Sequence, residues 1–372
     1  MKTNPLKKIE TFGQSIWLDY IKRDLFATGK LKRFITEDGL RGMTSNPSIF
    51  EKAIVESHDY DDEIKRMAGE GKNVDQIYEA LTQKDVQTAA DEFYPVYQQT
   101  KGLDGYVSLE VNPHLAHDTQ GTIEEARRFW KALNRPNVLI KVPATKEGLP
   151  VIRQLISEGI NVNVTLLFGL TRYREVAEAY IAGIEDRLKQ GHSVASIASV
   201  ASFFLSRIDV LLDPVFEKCV AGKTDQAGVA SQMAGEVAIA SAKGAYHIFE
   251  ELFNGKTFKA LAEKGAHVQR LLWASTSTKN PNYKDVKYIE ALIGPQTVNT
   301  VPLETLEAYR DHGEPQSRLT AGFDKATLCF KRLLDFGIDI DQVTQQLENE
   351  AVDKFIKSYD QLIEAIKNNM AK

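Results

Sequence analysis

The stretch NVLIKVPAT, residues 137–145, decides how the rest of the chain is read. Val138, Leu139, Ile140 and Val142 form a near-continuous apolar run, the pattern of a strand buried on both faces of a parallel sheet. Lys141 stands inside that run. Short runs of the same kind, rich in β-branched residues, recur along the chain at 15–19, 40–44, 106–111, 161–166, 197–203, 270–274 and 297–301. With 138–142 they give eight expected strands. Helix-like patterns separate most of them. One runs from 47 to about 67, through Ile49, Phe50, Ala53, Ile54 and Ile64. Thr122 with Glu125 reads as a capping box opening a helix over 123–133. Residues 171–188 repeat Val176, Ala177, Tyr180, Ile181 and Ile184 at helical intervals, and 227–252 is an alanine-rich helical stretch.

Strand and helix in alternation mean parallel pairing with crossover helices. Eight strands favour a closed (β/α)8 barrel of the TIM type over an open doubly wound sheet. No G-x-G-x-x-G follows any of the strands, which counts against a dinucleotide-binding domain. From about 325 to 370 the pattern is helical throughout, with Val343, Leu347, Ala351, Phe355, Tyr359, Leu362 and Ile366 every three or four residues. It predicts one long amphipathic helix lying across the barrel. The expectation is therefore an α/β chain with a single barrel domain over 1–372, in which about 325–372 is helical decoration.

Composition narrows the function classes. The 372 residues are 43% hydrophobic and 26% charged, an ordinary globular balance. Lys+Arg 46 against Asp+Glu 51 leaves a net charge of −5, which argues against nucleic acid held by a basic field. The two cysteines, Cys219 and Cys329, form no CxxC pair and fit free thiols in a reducing compartment. The N-terminal residues MKTNPLKKIETFGQSIW contain no apolar signal core. No run approaches the roughly 18 apolar residues of a membrane span. A soluble cytoplasmic protein without membrane or nucleic-acid partners is expected.

The polar residues on and after the strands carry the chemistry. Burial disfavours a charged ammonium, and an amine free of its extra proton can attack a carbonyl to form a Schiff base. The alternative for Lys141 is a strand-end lysine whose stem lies on apolar surface. In INVNVTL, residues 160–166, Asn161, Asn163 and Thr165 share one face by the period of two. That face is either part of a substrate site at the barrel's C-terminal end or the polar side of an edge strand. Glu110 and Asp19 end strands, as acid/base groups or as caps for the following helices. TSNP, residues 44–47, is explained by Asn46 as N-cap with Pro47 in the first helical position, which leaves the Asn46 amide free for a second role. SFFLSR, residues 202–207, offers Ser202 and the guanidinium of Arg207, and ASTSTK, residues 274–279, offers Ser275 and Lys279 for an oxyanion. In HLAHD, residues 114–118, His114 and His117 are three apart, a spacing a metal could use. They sit in a loop, no second histidine pair exists, and Asp118 has an alternative use in a turn.

Three segments together resemble the transaldolase family: TSNPSIF at 44–50, VLIKVPATKEGL at 138–149 and INVNVTLLF at 160–168. They stand in order, and the resemblance covers essentially the whole chain. It implies a dihydroxyacetone transfer from sedoheptulose 7-phosphate to glyceraldehyde 3-phosphate, giving erythrose 4-phosphate and fructose 6-phosphate, in the non-oxidative pentose phosphate pathway. Lys141 matches the lysine that forms the covalent imine. Glu110 and Thr165 match the pair that moves protons through a water. Asp19 matches the acid/base acting on the C4 hydroxyl. Asn46, Asn163 and Ser202 match residues holding the three-carbon unit, and Arg207 and Ser275 match phosphate ligands. The partners implied are phosphorylated sugars, with no metal and no cofactor, in a monomer or homodimer.

Two departures from the family pattern stand out. Many members carry an arginine two residues after the position of Ser275, where this chain has Ser277, and Lys279 is expected to supply the charge. The chain is longer than many members around 61–91 and 280–288. Relatives that are simple aldolases, releasing free dihydroxyacetone, tend to have a tyrosine where this chain has Phe204, and they are much shorter. That simple aldolase, a metal-dependent aldolase built on His114 and His117, and a phosphosugar-binding barrel without covalent chemistry are the rival readings.

Overall fold

The computed structural model describes residues 4–371, so positions 1–3 and 372 of the expected domain lie outside it. Eight parallel strands close on themselves in chain order: β1 (Gln14–Asp19), β2 (Gly42–Thr44), β3 (Tyr106–Glu110), β4 (Val138–Pro143), β5 (Val162–Leu167), β6 (Ser199–Phe204), β7 (Arg270–Ala274) and β8 (Thr297–Val301), with β8 paired to β1. The barrel is the expected one, and the last two strands fall on the expected residues. The other strand ends move by one or two positions: the ladder starts later than expected at Gly42, Val162 and Ser199 and runs one residue further at Gln14, Pro143, Leu167 and Phe204.

Alternation along each strand sorts side chains inward and outward. Ser15, Trp17 and Asp19 of β1 rise through the interior in three layers. Trp17 is completely buried. Its indole occupies the space that Gly42 leaves on the neighbouring strand, where a Cβ would lie 2.6 Å from the ring. Below it, Arg270 donates to Asp104 at 2.8 Å, to Ser15 Oγ at 3.0 Å and to the Leu103 carbonyl at 2.6 Å. Ser15 and Trp17 Nε1 donate to the same Asp104 carboxylate at 2.7 and 3.2 Å. A buried ion pair is tolerable only when its remaining hydrogen-bonding capacity is satisfied, and here the surrounding donors and the Leu103 carbonyl supply that. This network and Trp17 fill the N-terminal half of the barrel, leaving the C-terminal half open.

The helices correct the sequence reading in four places. The stretch from 47 to about 67 is two helices, Pro47–Val55 and Asp61–Gly69. Between them Tyr60 is buried and donates to Asp85 at 2.8 Å, a tertiary bond that a continuous helix would not direct there. The Thr122–Glu125 box does not form, because the helix begins four residues earlier, at Thr119, under an Asp118 cap that accepts from Gly121 N at 3.0 Å. Thr122 instead donates to the Leu115 carbonyl, and Glu125 accepts from Asn112 N. The 227–252 stretch splits into Ala227–Met233 and Val237–Phe253 at Gly235, whose φ of +73° ends the first helix. The tail is likewise two helices, Phe323–Asp335 and Ile340–Met370, separated by Gly337 at φ +68° and restarted by the Asp339 cap. The apolar period survives each break, so periodicity alone runs through it.

The C-terminal helix, Ile340–Met370, packs on the Pro47–Val55, Asp61–Gly69 and Val74–Gln99 helices. Much of the extra length around 61–91 thus forms a cradle for it, the 26-residue Val74–Gln99 helix being the largest part. The other addition, at 280–288, is tied to the barrel's outer layer. Tyr283 and Tyr288 donate to Asp213 and Asp209, both at 2.7 Å, and these carboxylates also accept from Gly235 N and Ala238 N.

Burial pushes the Asp209 carboxyl up to about 6, partly offset by its donors Tyr288 and Ala238. A carboxyl whose pKa is raised on folding favours the folded state while protonated, and that contribution is lost as pH rises from about 4 to 6. Asp209→Asn removes the titration. Relative to the wild type, the variant is expected to gain about 2 kcal/mol of unfolding free energy between pH 4.5 and 7. Urea titrations of both proteins at the two pH values check this, and a constant difference between them refutes it.

Candidate active site

The C-terminal ends of the strands surround a cavity of about 370 Å³. Its floor is built by register. Glu110, Lys141 and Asn163 are direct neighbours on β3, β4 and β5, so three polar side chains meet on one inner layer. Lys141 is 4% exposed. Its Nζ donates to the Ser45 carbonyl at 3.0 Å and lies 3.1 Å from Glu110 Oε2. Asn163 donates to Ser108 Oγ at 3.0 Å and accepts from Ser202 at 2.7 Å, which fixes its amide orientation. Thr165 lines the cavity, and its buried hydroxyl has no hydrogen-bond partner in the protein. Next to it, Leu166 takes a φ of +56° where the β5–β6 ladder slips register.

Asp19 enters from the opposite side. Its Oδ1 accepts from Thr44 Oγ1 at 2.6 Å, and the Thr44 hydroxyl is shared with Thr300 at 2.8 Å. Burial raises the Asp19 carboxyl above the usual carboxylate range, against the opposing pull of Lys141 and the Thr44 bond. The same holds for Glu110, raised first by burial and drawn back by Lys141. Two buried carboxyls and a buried amine thus lie at one end of the barrel. This is the setting in which proton affinities depart from solution values.

Of the ten residues singled out by sequence, eight line the cavity: Asp19, Asn46, Lys141, Thr165, Ser202, Arg207, Ser275 and Lys279. Glu110 and Asn163 stand directly behind, bonded or ion-paired to lining residues. Asn46 does cap its helix, accepting from Ile49 N at 3.0 Å, and faces the cavity as well. Asn161, expected on the same strand face as Asn163 and Thr165, is not part of the site. It precedes β5 and staples strand starts together, donating to the Pro136 and Val138 carbonyls and accepting from Ala198 N. Ser275 sits at φ +54° and shares a hydrogen bond with Ser206, while Lys279 donates to Ser277 Oγ at 2.6 Å. His114 and His117 do not converge. One pairs with Asp360 and the other with Glu147, both at the surface. Among the described residues no group of three His, Cys, Asp or Glu side chains could hold a metal.

Comparison with known proteins gives the family. The family model described as transaldolase/fructose-6-phosphate aldolase matches residues 16–366. The chain belongs to the transaldolase/fructose-6-phosphate aldolase family. It is 48% identical to a transaldolase of Trichodesmium erythraeum over 100% of this chain and 99% of that one. It is 45% identical to transaldolase 2 of Nostoc punctiforme, over 100% and 98% of the two chains. It is 44% identical to a transaldolase of Saccharopolyspora erythraea, over 100% and 99%. The match to transaldolases at full length makes it an enzyme of the transaldolase type.

This transaldolase-family cavity also contains groups that the sequence reading passed over. Thr44, itself bonded to Thr300, holds Asp19, and the Ser45 carbonyl holds Lys141. Thr44 was in plain view within TSNP, but its partner lies 256 positions away. Lys52, Lys354, Phe355 and Ser358 line the mouth. The last three come from the C-terminal helix, and no local pattern says over which strands that helix passes. Phe204 lines the wall, its ring 5.2 Å from that of Phe168.

Proposed function

We propose that the chain transfers a dihydroxyacetone unit from sedoheptulose 7-phosphate to glyceraldehyde 3-phosphate through a Schiff base on Lys141, releasing erythrose 4-phosphate and forming fructose 6-phosphate. The observation that carries this is the buried amine of Lys141 beside Glu110, in a cavity that also holds Asp19. The amine adds to the ketose carbonyl. Loss of water, with Glu110 and Thr165 moving protons through a bridging water, leaves a protonated imine. Asp19 then takes the proton of the C4 hydroxyl, the C3–C4 bond breaks, and its electron pair flows into the imine. The erythrose 4-phosphate departs, and the three-carbon enamine stays on Lys141. Addition to the incoming aldehyde reverses these steps, Asp19 returning its proton to the new hydroxyl. An imine supplies the electron sink, so the cycle asks for neither metal nor cofactor.

Asn46, Asn163 and Ser202 would hold the hydroxyls of the three-carbon unit, and Arg207, Ser275 and Lys279 the phosphate. Retention rather than release of the donor fits Phe204, which has no hydroxyl to protonate the enamine. We read the whole chain as one domain acting in the cytoplasm on phosphorylated sugars, as a monomer or homodimer. The unpaired thiols Cys219 and Cys329 suit a reducing compartment. Among the described residues no helix is long and apolar enough to cross a membrane.

Borohydride reduction in the presence of fructose 6-phosphate, followed by peptide mass mapping, tests the reading. A three-carbon adduct on Lys141 is expected, and folded protein without one refutes the covalent route. For the phosphate, Arg207→Ala is expected to cost roughly thirtyfold or more in kcat/KM, mainly through KM, on phosphorylated ketoses. The loss should be far smaller on fructose. Equal losses on both would remove Arg207 from the phosphate site.

A further inference from the structure

The mouth of the cavity gathers more positive charge than the sequence reading assigned to it. Arg207 comes from the helix after β6, Lys279 from the segment after β7, Lys52 from the Pro47–Val55 helix and Lys354 from the C-terminal helix. Lys279 donates to Ser277, at the position where many family members carry arginine. Arg207, Lys52 and Lys354 make no side-chain hydrogen bond or ion pair in the described structure. Most other arginines of the chain are bound to a carboxylate or a carbonyl. The carboxylates in the neighbourhood are Glu51 and Asp19 in the lining and Glu350, which acts on Arg207 at longer range. Like charges gathered with no carboxylate in ion-pair contact cost free energy, and a dianion seated among them recovers it.

Lys354 is held in place from below. Phe355 is buried, and Ser358, one turn on, accepts a hydrogen bond from Ser48 at 2.6 Å, clasping the C-terminal helix to the Pro47–Val55 helix at the cavity rim. Its ammonium is pushed below the ordinary lysine range, by Arg207 before any other cause and then by partial burial, Lys279 and Lys52. The two cations therefore share one electrostatic site although they lie 147 positions apart in the sequence.

We propose that Lys354 is a binding residue for the substrate's phosphate, reaching from the C-terminal helix to face Arg207 across the mouth and supplying the charge absent at Ser277. This deepens, and rests on, the phosphosugar reading of the same cavity. The C-terminal helix is then part of what selects phosphorylated over free sugars.

The test compares fructose 6-phosphate with fructose as donors to the same acceptor, and measures inhibition by inorganic phosphate. In Lys354→Ala the ratio of kcat/KM between the two ketoses is expected to fall about tenfold, through KM, and the inhibition constant for phosphate to rise by a similar factor. In Lys354→Glu the ratio is expected to fall further still. A ratio within twofold of the wild type, equal losses on both ketoses, or a Glu variant no worse than Ala overturns the proposal, since the charge would then not act on the phosphate. Borohydride trapping on Lys141 is run alongside. If the wild type forms no adduct, the underlying reading fails. If it forms one and the ratio is unmoved, only the role of Lys354 fails.

Discussion

Replacing Lys141 by alanine is expected to abolish turnover, by roughly a million-fold, the scale on which removal of a nucleophile is felt. The variant should take up no label from borohydride and ketose. Its fold should persist, because the barrel is closed by backbone pairing on both sides of β4 and the side chain leaves only a polar gap at the open end. One consequence follows from the ion pair. Without the ammonium 3.1 Å away, Glu110 loses the attraction that opposes its burial, so its carboxyl rises further and takes up a proton. Neutralisation limits the cost that a stranded buried charge would impose. Circular dichroism and urea titration establish folding, and Lys141→Met serves as a second variant that fills the gap. Activity above a few per cent in either folded variant ends the Schiff-base reading.

Asp19→Ala is expected to separate the half-reactions. In the proposed cycle imine formation does not use this carboxyl, so the variant should still be trapped on Lys141 by borohydride, now carrying the whole ketose. Cleavage should slow by about 10²–10⁴-fold, the range for losing a positioned general base. Mass mapping distinguishes the intact sugar from the three-carbon adduct. Normal cleavage would return Asp19 to the rank of a residue that merely receives Thr44. A weaker form of the experiment uses Thr44→Val. It leaves the carboxyl but removes its 2.6 Å donor, and should raise the Asp19 pKa and move the acidic limb of the rate profile upward in pH.

The two halves of this picture were legible in the sequence to different degrees. All eight strands are visible because strands buried on both faces must be apolar through their length, and because the intervening helices punctuate them. The helix breaks at Gly235 and Gly337 were invisible for the converse reason, since the hydrophobic period continues across a turn that a glycine makes possible. Within the site, Lys141, Asn163 and Thr165 stand out because a polar residue in a buried strand needs a reason, and the period of two puts them on the inner face. Asn161 obeys the same period yet serves the strand starts, since it sits before the ladder begins. Thr300 and Lys354 carry no local mark at all. Their place depends on closure of β8 onto β1 and on the path of the C-terminal helix, both set by contacts hundreds of positions apart in the chain.

The plug beneath the cavity, Trp17 over Gly42 and the Arg270–Asp104 network, has a kinetic meaning. A barrel stopped at one end has a single doorway. On the proposed cycle, the leaving aldehyde phosphate must vacate both the passage and the cations proposed to anchor it before the acceptor can be seated in the same place. Two-substrate kinetics should therefore follow alternating, ping-pong order, with parallel double-reciprocal lines and the two aldehyde phosphates competing for the same enamine form of the enzyme.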